Sequence, residues 1–413
     1  NVRQRGIILH HGVSSYQPLA FGSMGTTTQT TEGFCDPAFE RVRAAFAHNF
    51  DAHDEIGASV AVCVGRRTVV DLWGGWRDAA RRKPWAGSTI VNAYSVGKGI
   101  TSLLVLALVG QQRLALDQKV ADVWPEFGTA GKASITLREV LSHQAGLPAI
   151  RAPLENSDLG NWAGMTEALA QQEPWWEPGH AHGYHVNTFG FLAGEIARRA
   201  AGASSFRRAL QEVLCQPAEA EFHVGLPMFA HRLCADIIGD VTQPIDPQIM
   251  ESFLVPPTTP PEHREMLRKT YSNPAAFSGI GVVNSSWWRS IEIPSTNGHG
   301  TARGVASLYA EALSGGLFPE SLLAEACLPQ AEGMDSILGR NTRFGLGFQL
   351  PEKQRPIGPS AQAFGHFGYG GSLGFADPDS GVSFGYLMNR PGDRWQSPRT
   401  ESLIDAVYAS LGA

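Results

Sequence analysis

Paired cysteines, a basic stripe and a membrane-length apolar run are all missing from this chain of 413 residues. Its five cysteines (Cys35, Cys63, Cys215, Cys234 and Cys327) are scattered, odd in number and never spaced as C-x-x-C. That argues against a disulfide framework or a zinc site and leaves buried free thiols as the reading. Charged residues are only 17% of the chain, with a net charge of −6, so a phosphate-binding footprint is absent and no nucleic-acid partner is expected. The least polar stretch, Gly99–Gln112, is uncharged for 14 residues. A membrane span needs roughly 18–20, so this is a core helix. No charged-then-apolar signal peptide opens the chain, and a cytoplasmic location is expected. Lysine is scarce too: six of the 33 basic residues.

Hydrophobic residues reach 43%, ample for a large core, and the length suggests two subdomains. Asn1–Gly33 is polar and patternless and is read as an N-terminal arm or leader, with Met24 a candidate natural start. Asp36 can cap a first amphipathic helix carrying Phe39, Val42, Phe46 and Phe50. Strands are expected at Ser59–Val64 and Thr68–Trp73, turning at Gly65–Arg67, with an extended piece at Val91–Tyr94. Thr136–Glu139 spells a capping box. Helices are expected at Met165–Gln172, Phe189–Ala201, Ser205–Leu214, Thr301–Ser314 and Thr400–Leu411, and strands at Phe344–Leu350 and Gly381–Met388. The expected fold class is α/β (α+β), a mostly antiparallel sheet flanked by helices and carrying a helical insertion. Residues 34–98 and 275–413 are assigned to the sheet domain and 99–274 to the helical subdomain.

Of the six lysines, only Lys98 has a serine three residues before it. Positions i and i+3 share a helix face, so Ser95 and Lys98 can point into one cleft. A serine hydroxyl is a poor nucleophile until a neighbour accepts its proton. A lysine can do so once burial lowers its pKa, and the apolar run Leu103–Val109 supplies that burial. Ser95 in the first turn also directs helix N–H groups at developing negative charge.

Three further stretches follow Tyr94-Ser-Val-Gly-Lys98 in order: Val140-Leu-Ser-His-Gln-Ala-Gly-Leu-Pro148; Pro178-Gly179 ahead of Tyr184-His-Val186; and Phe364-Gly-His-Phe-Gly-Tyr-Gly-Gly371. Together they resemble the serine β-lactamase and penicillin-binding-protein superfamily, and more narrowly the class C β-lactamase-like esterases called family VIII carboxylesterases. The resemblance spans roughly Asp36 to the C-terminus. It implies a β-lactamase/transpeptidase-like fold, Ser95 as nucleophile, Lys98 as its partner and Tyr184 as a general base and later acid. Which of Lys98 and Tyr184 is the base stays open. It further implies an oxyanion hole from the backbone N–H groups of Ser95 and Tyr369, with His366, Phe367, Gly368 and Asn187 as substrate-binding candidates.

Two departures from the family pattern bear on substrate. Val186 stands where the third residue of Y-x-N belongs, with Asn187 one place later, and His366-Phe367 replaces the lysine and threonine of K-T-G. The clamp on a β-lactam carboxylate is thus weakened. The expectation is a carboxylesterase for short- to medium-chain esters, with weak β-lactamase side activity and no cofactor or metal. Within the same chemistry stand β-lactamase, D-alanyl-D-alanine peptidase and acyltransferase; outside it stands a penicillin-sensor-like binding protein.

Gly370-Gly-Ser372-Leu-Gly374 also spells G-x-S-x-G, but turn chemistry follows it where a nucleophile elbow needs a helix, and no histidine comes later than His366. Ser372 is therefore rejected as nucleophile. His180, His182 and His185 are crowded without zinc-site spacing and are read as a wet loop beside the cleft; His10-His11 is a second pair. Trp175-Trp176 and Trp287-Trp288 are left open between packing and pocket lining.

Overall fold

The computed structural model describes residues 31–246, 255, 259–392 and 396–412. His10, His11 and Met24 lie outside the described residues. In chain order the strands are β1 (Glu32–Cys35), β2 (Gly57–Val64), β3 (Arg67–Gly75), β4 (Val91–Asn92), β5 (Phe222–His223), β6 (His299–Gly300), β7 (Ala331–Met334), β8 (Asn341–Phe344), β9 (Phe364–Phe367), β10 (Leu373–Asp377) and β11 (Val382–Met388). The helices used below are α1 (Glu40–Ala52), α2 (Val96–Gly110), α3 (Leu137–Leu141), α4 (Trp162–Gln171), α5 (Thr188–Ala200), α6 (Phe206–Ala209), α7 (Pro261–Ser272), α8 (Ser286–Ser290), α9 (Ala302–Leu313), α10 (Glu320–Ala326) and α11 (Pro398–Leu411).

Six strands form an antiparallel sheet in the order β1-β3-β2-β11-β10-β9. Strand β2, Gly-Ala-Ser-Val-Ala-Val-Cys-Val, is β-branched and apolar because helices cover both of its faces. Side chains alternate across it. Val60 and Val62 join Phe46 of α1 and Leu403 and Val407 of α11 on one face. Ala61 and Cys63 meet Ala302, Ala306 and Ala310 of α9 on the other, where small residues allow close approach. Glu32 and Gly33 lie within β1, on β3, so the expected arm ends earlier than Gly33.

Two expected elements differ. The sequence Phe344–Leu350 alternates like a strand, yet β8 ends at Phe344 and the chain reverses, Gly345 N–H donating to Phe348 O at 2.9 Å. Gly347 makes that bend possible: its φ is +81°, and a side chain there would strike Ser102 of α2. The helix expected at Ser205–Leu214 is α6 followed by a wider π turn, Leu210–Cys215.

Helix α2 is buried from Val96 to Leu108, which accounts for its uncharged sequence. One apolar core joins it to α5, α9 and residues of β9, β10 and β11. The expected division at 98/99 falls inside this helix. Phe277, Trp288 and Ile293, assigned from sequence to the sheet part, share the core of the helical residues. All five cysteines are free; Cys63, Cys215 and Cys234 are buried, whereas Cys35 and Cys327 are half-buried. No helix among the described residues is long and apolar enough to cross a membrane.

Candidate active site

Ser95 sits at the start of α2, directly after Tyr94, which is held at a φ of +49°. Left-handed backbone at a bulky residue is strained and is kept only where the surroundings enforce it. Here β4 and α2 do so, presenting Ser95 at a cavity of about 410 Å³. Glycine is required on both sides of the lysine. A Cβ on Gly97 would lie 2.3 Å from Pro294 O, and one on Gly99 would lie 2.2 Å from the Tyr309 hydroxyl.

Lys98 is wholly buried, its Nζ 3.0 Å from Ser95 Oγ and 3.2 Å from Ser295 O. Ser295 is itself fixed, its Oγ accepting from Gly190 N–H of α5 at 2.6 Å. Burial drives the Lys98 pKa well below its ordinary 10.5.

Tyr184 completes the group. The Lys98 Nζ stands 4.7 Å from its ring centroid, and a side-chain hydrogen bond joins it to Ser95. The Tyr184 N–H donates to Asp335 at 3.0 Å, and its ring stacks on Phe344 with 6.0 Å between centroids. Burial raises the phenol, so it keeps its proton at neutral pH. The structure therefore gathers Ser95, Lys98 and Tyr184 in one place.

The other sequence candidates divide. Phe367, Gly368 and Tyr369 line the cavity, the Tyr369 ring resting 5.3 Å from that of Tyr94. Asn187 lines it as well, but its amide is engaged with Thr270 O, Ser278 Oγ and Thr296 Oγ1, tying α5 to neighbouring segments. His366 is wholly buried and stands behind Tyr184 instead of in the cavity wall, its Nε2 3.4 Å from the phenol oxygen. Its Nδ1–H donates to Phe367 O at 2.7 Å, which leaves Nε2 as an acceptor. Burial, with Lys98 nearby, lowers its pKa to about 3, so the imidazole is neutral.

Ser372 is buried with its Oγ donating to Ala93 O at 3.2 Å, and the strand β10 follows it. The strand accounts for its failure as an elbow. The wet-loop reading of the histidines needs correction. Only His180 is exposed, whereas buried His182 pairs with Thr342 Oγ1 and buried His185 donates to Gly183 O and accepts from Leu147 N–H. Among the described residues no three metal-ligating side chains come together. None of the four paired tryptophans lines the Ser95 cavity; Trp288, for one, is buried and donates to Asn92 Oδ1.

Sequence reasoning missed Ser295, whose carbonyl receives the amine, and Asp335, which anchors Tyr184. Both act through long-range contacts, and neither Pro294-Ser-Thr-Asn297 nor Met334-Asp-Ser336 has a spacing that marks it.

A serine and a buried lysine one turn apart, with a phenol between the sheet edge and a helical layer, define a serine hydrolase of the S-x-x-K type. Residues 42–408 match the family model described as Beta-lactamase, and the chain belongs to that family. It is 33% identical over 369 residues to "Esterase/beta-lactamase LipL" of Mycobacterium tuberculosis, covering 87% of this chain and 82% of that one. Among solved structures, a family VIII carboxylesterase superposes with a TM-score of 0.83 at 34% identity, over 92% of this chain and 100% of the other. A penicillin-binding protein homologue from Caulobacter crescentus gives 0.79 at 36% identity with the same coverages. The expected family and fold class agree with these matches.

Proposed function

We propose that the protein is a carboxylesterase that works through an acyl-enzyme on Ser95. The observation that carries this reading is the fully buried Lys98 amine 3.0 Å from Ser95 Oγ. Lys98, whose charged form burial disfavours, is the base, because the Tyr184 phenol stays protonated. It takes the Ser95 proton as Oγ attacks the ester carbonyl carbon. The oxyanion is received by the backbone N–H groups of Ser95 and Tyr369. Tyr184 relays a proton to the departing alkoxide, is reprotonated from Lys98, and the alcohol leaves. Water then adds to the acyl group, its proton returning by the same route, and the acid and free Ser95 result. His366, accepting through Nε2, orients the phenol.

The esterase and carboxylesterase relatives support ester hydrolysis, and so does the cavity. Its walls are mainly apolar and aromatic and, among the described residues, include no lysine, arginine or histidine. Neutral esters of short to medium acyl chain suit it, and β-lactam opening is a minor side activity. The test is mass spectrometry of the protein after exposure to p-nitrophenyl esters, a cephalosporin and a fluorophosphonate. The reading expects a single adduct on Ser95, with the esters turned over fastest. Modification of another residue, or stable acylation by the esters without turnover, refutes it; the second outcome is that of a sensor.

A further inference from the structure

Asp240 is the only residue with a charged side chain in the described wall of the Ser95 cavity. It lies exposed in the turn Asp240–Thr242, and among the described residues no cation pairs with its carboxylate. The basic groups nearest the reaction do not offset it. Burial disfavours the charged form of Lys98, and it holds His366 and His143, which stands behind Tyr184, neutral. Behind the wall, Asp335 and Arg340 carry opposite charges and both act on Tyr271. Among the described residues, the cavity wall thus carries one acidic side chain and no basic one. Its walls also include the rings of Tyr94, Tyr271 and Tyr369, whose faces attract cations.

From this we propose that the cavity selects esters bearing an ammonium group, with Asp240 as the residue that recognises the charge, and rejects esters bearing a carboxylate. The inference rests on the esterase reading above and names its substrate class. A methylated ammonium fits these walls best. It is weakly hydrated, so the tyrosine faces and one carboxylate replace its water shell without a full set of hydrogen bonds. An anionic ester meets Asp240 with no cation among the described wall residues to receive it.

The test uses matched pairs. On the acyl side these are the p-nitrophenyl ester of γ-trimethylammoniobutyric acid and its uncharged isostere with carbon in place of nitrogen. On the alcohol side they are choline butyrate and the corresponding dimethylbutyl ester. The p-nitrophenyl hemiester of glutaric acid supplies the anion. The readout is the ratio of kcat/KM for charged over neutral ester within one enzyme, so a general loss of activity cancels. In at least one pair the wild type is expected to favour the cation by about tenfold, as one charge at short range in a partly solvated site allows. Asp240→Asn should bring that ratio close to one and relieve the penalty on the anion. About 1 M salt should weaken the preference in the wild type. Ratios unchanged by Asp240→Asn, or a wild type that prefers the hemiester, overturn the inference. Failure of the neutral isosteres to acylate Ser95 refutes the esterase reading instead, which keeps the two claims apart.

Discussion

Replacing Lys98 by methionine should make the protein more stable and nearly inactive. The side chains are similar in length, and Lys98 is wholly enclosed. Burial of an amine whose ordinary pKa is 10.5 disfavours its charged form at pH 7. At about 1.4 kcal/mol per pH unit, that costs the folded state up to about 5 kcal/mol. Its hydrogen bonds to Ser295 O and Ser95 return part of this, about 1 kcal/mol each. Methionine removes the penalty and the bonds together, and it leaves the Ser295 carbonyl unsatisfied. The net expectation is a gain of about 2 kcal/mol at pH 7 in urea unfolding. With the base gone, kcat/KM for p-nitrophenyl butyrate should fall by a factor of about 10³ or more.

The pH dependence has a definite sign. Below pH 10.5 the unfolded wild type holds a proton on Lys98 that burial disfavours in the folded form. Wild-type stability therefore rises with pH by up to about 1.4 kcal/mol per unit, while the variant has no such term. The advantage of methionine should shrink steadily and vanish before pH 10.5 is reached. A variant that is less stable at pH 7 by a margin independent of pH would refute a neutral, penalised lysine, and so would retention of turnover.

Other substitutions test the surroundings. Glu55 is buried against the Arg399 guanidinium at 2.8 Å and also accepts from the Tyr386 hydroxyl. Glu55→Gln strands a buried cation and should cost about 3–5 kcal/mol in chemical unfolding; a change under about 1 kcal/mol would show that the pair contributes little. Ser372→Ala removes only the bond from the Tyr369 turn to Ala93 O. It should keep kcat/KM within about tenfold, and a collapse to the level of Ser95→Ala would revive the elbow reading.

The reactive pair was legible because it is local. Three residues on a helix fix the Ser95–Lys98 spacing, and the uncharged run after them announces a buried helix. The sheet was legible where alternation or β-branching was strong, as in β2, β3 and β11. The bend after Phe344 was not, because Phe-Gly-Leu-Gly-Phe alternates like a strand and only contact with Ser102 of α2 shows why Gly347 must turn. Tyr184 was found from a motif, yet what holds it, Asp335 and His366, comes from segments more than 150 residues away. His182 and His185 misled for the opposite reason: crowding in sequence suggested a solvated loop, whereas each is buried with a separate partner. Asp240 carries no sequence signal, since an aspartate after glycine in a turn is ordinary.

The most direct measurement is the rate of Ser95 acylation as a function of pH, followed in single turnovers with a p-nitrophenyl ester. With a buried neutral Lys98 as base and Tyr184 retaining its proton, the rate should be flat through neutral and mildly alkaline pH and fall tenfold per unit only on the acid side. A rate still climbing tenfold per unit to the ordinary lysine value of 10.5 would show that Lys98 is charged at rest and contradict the account.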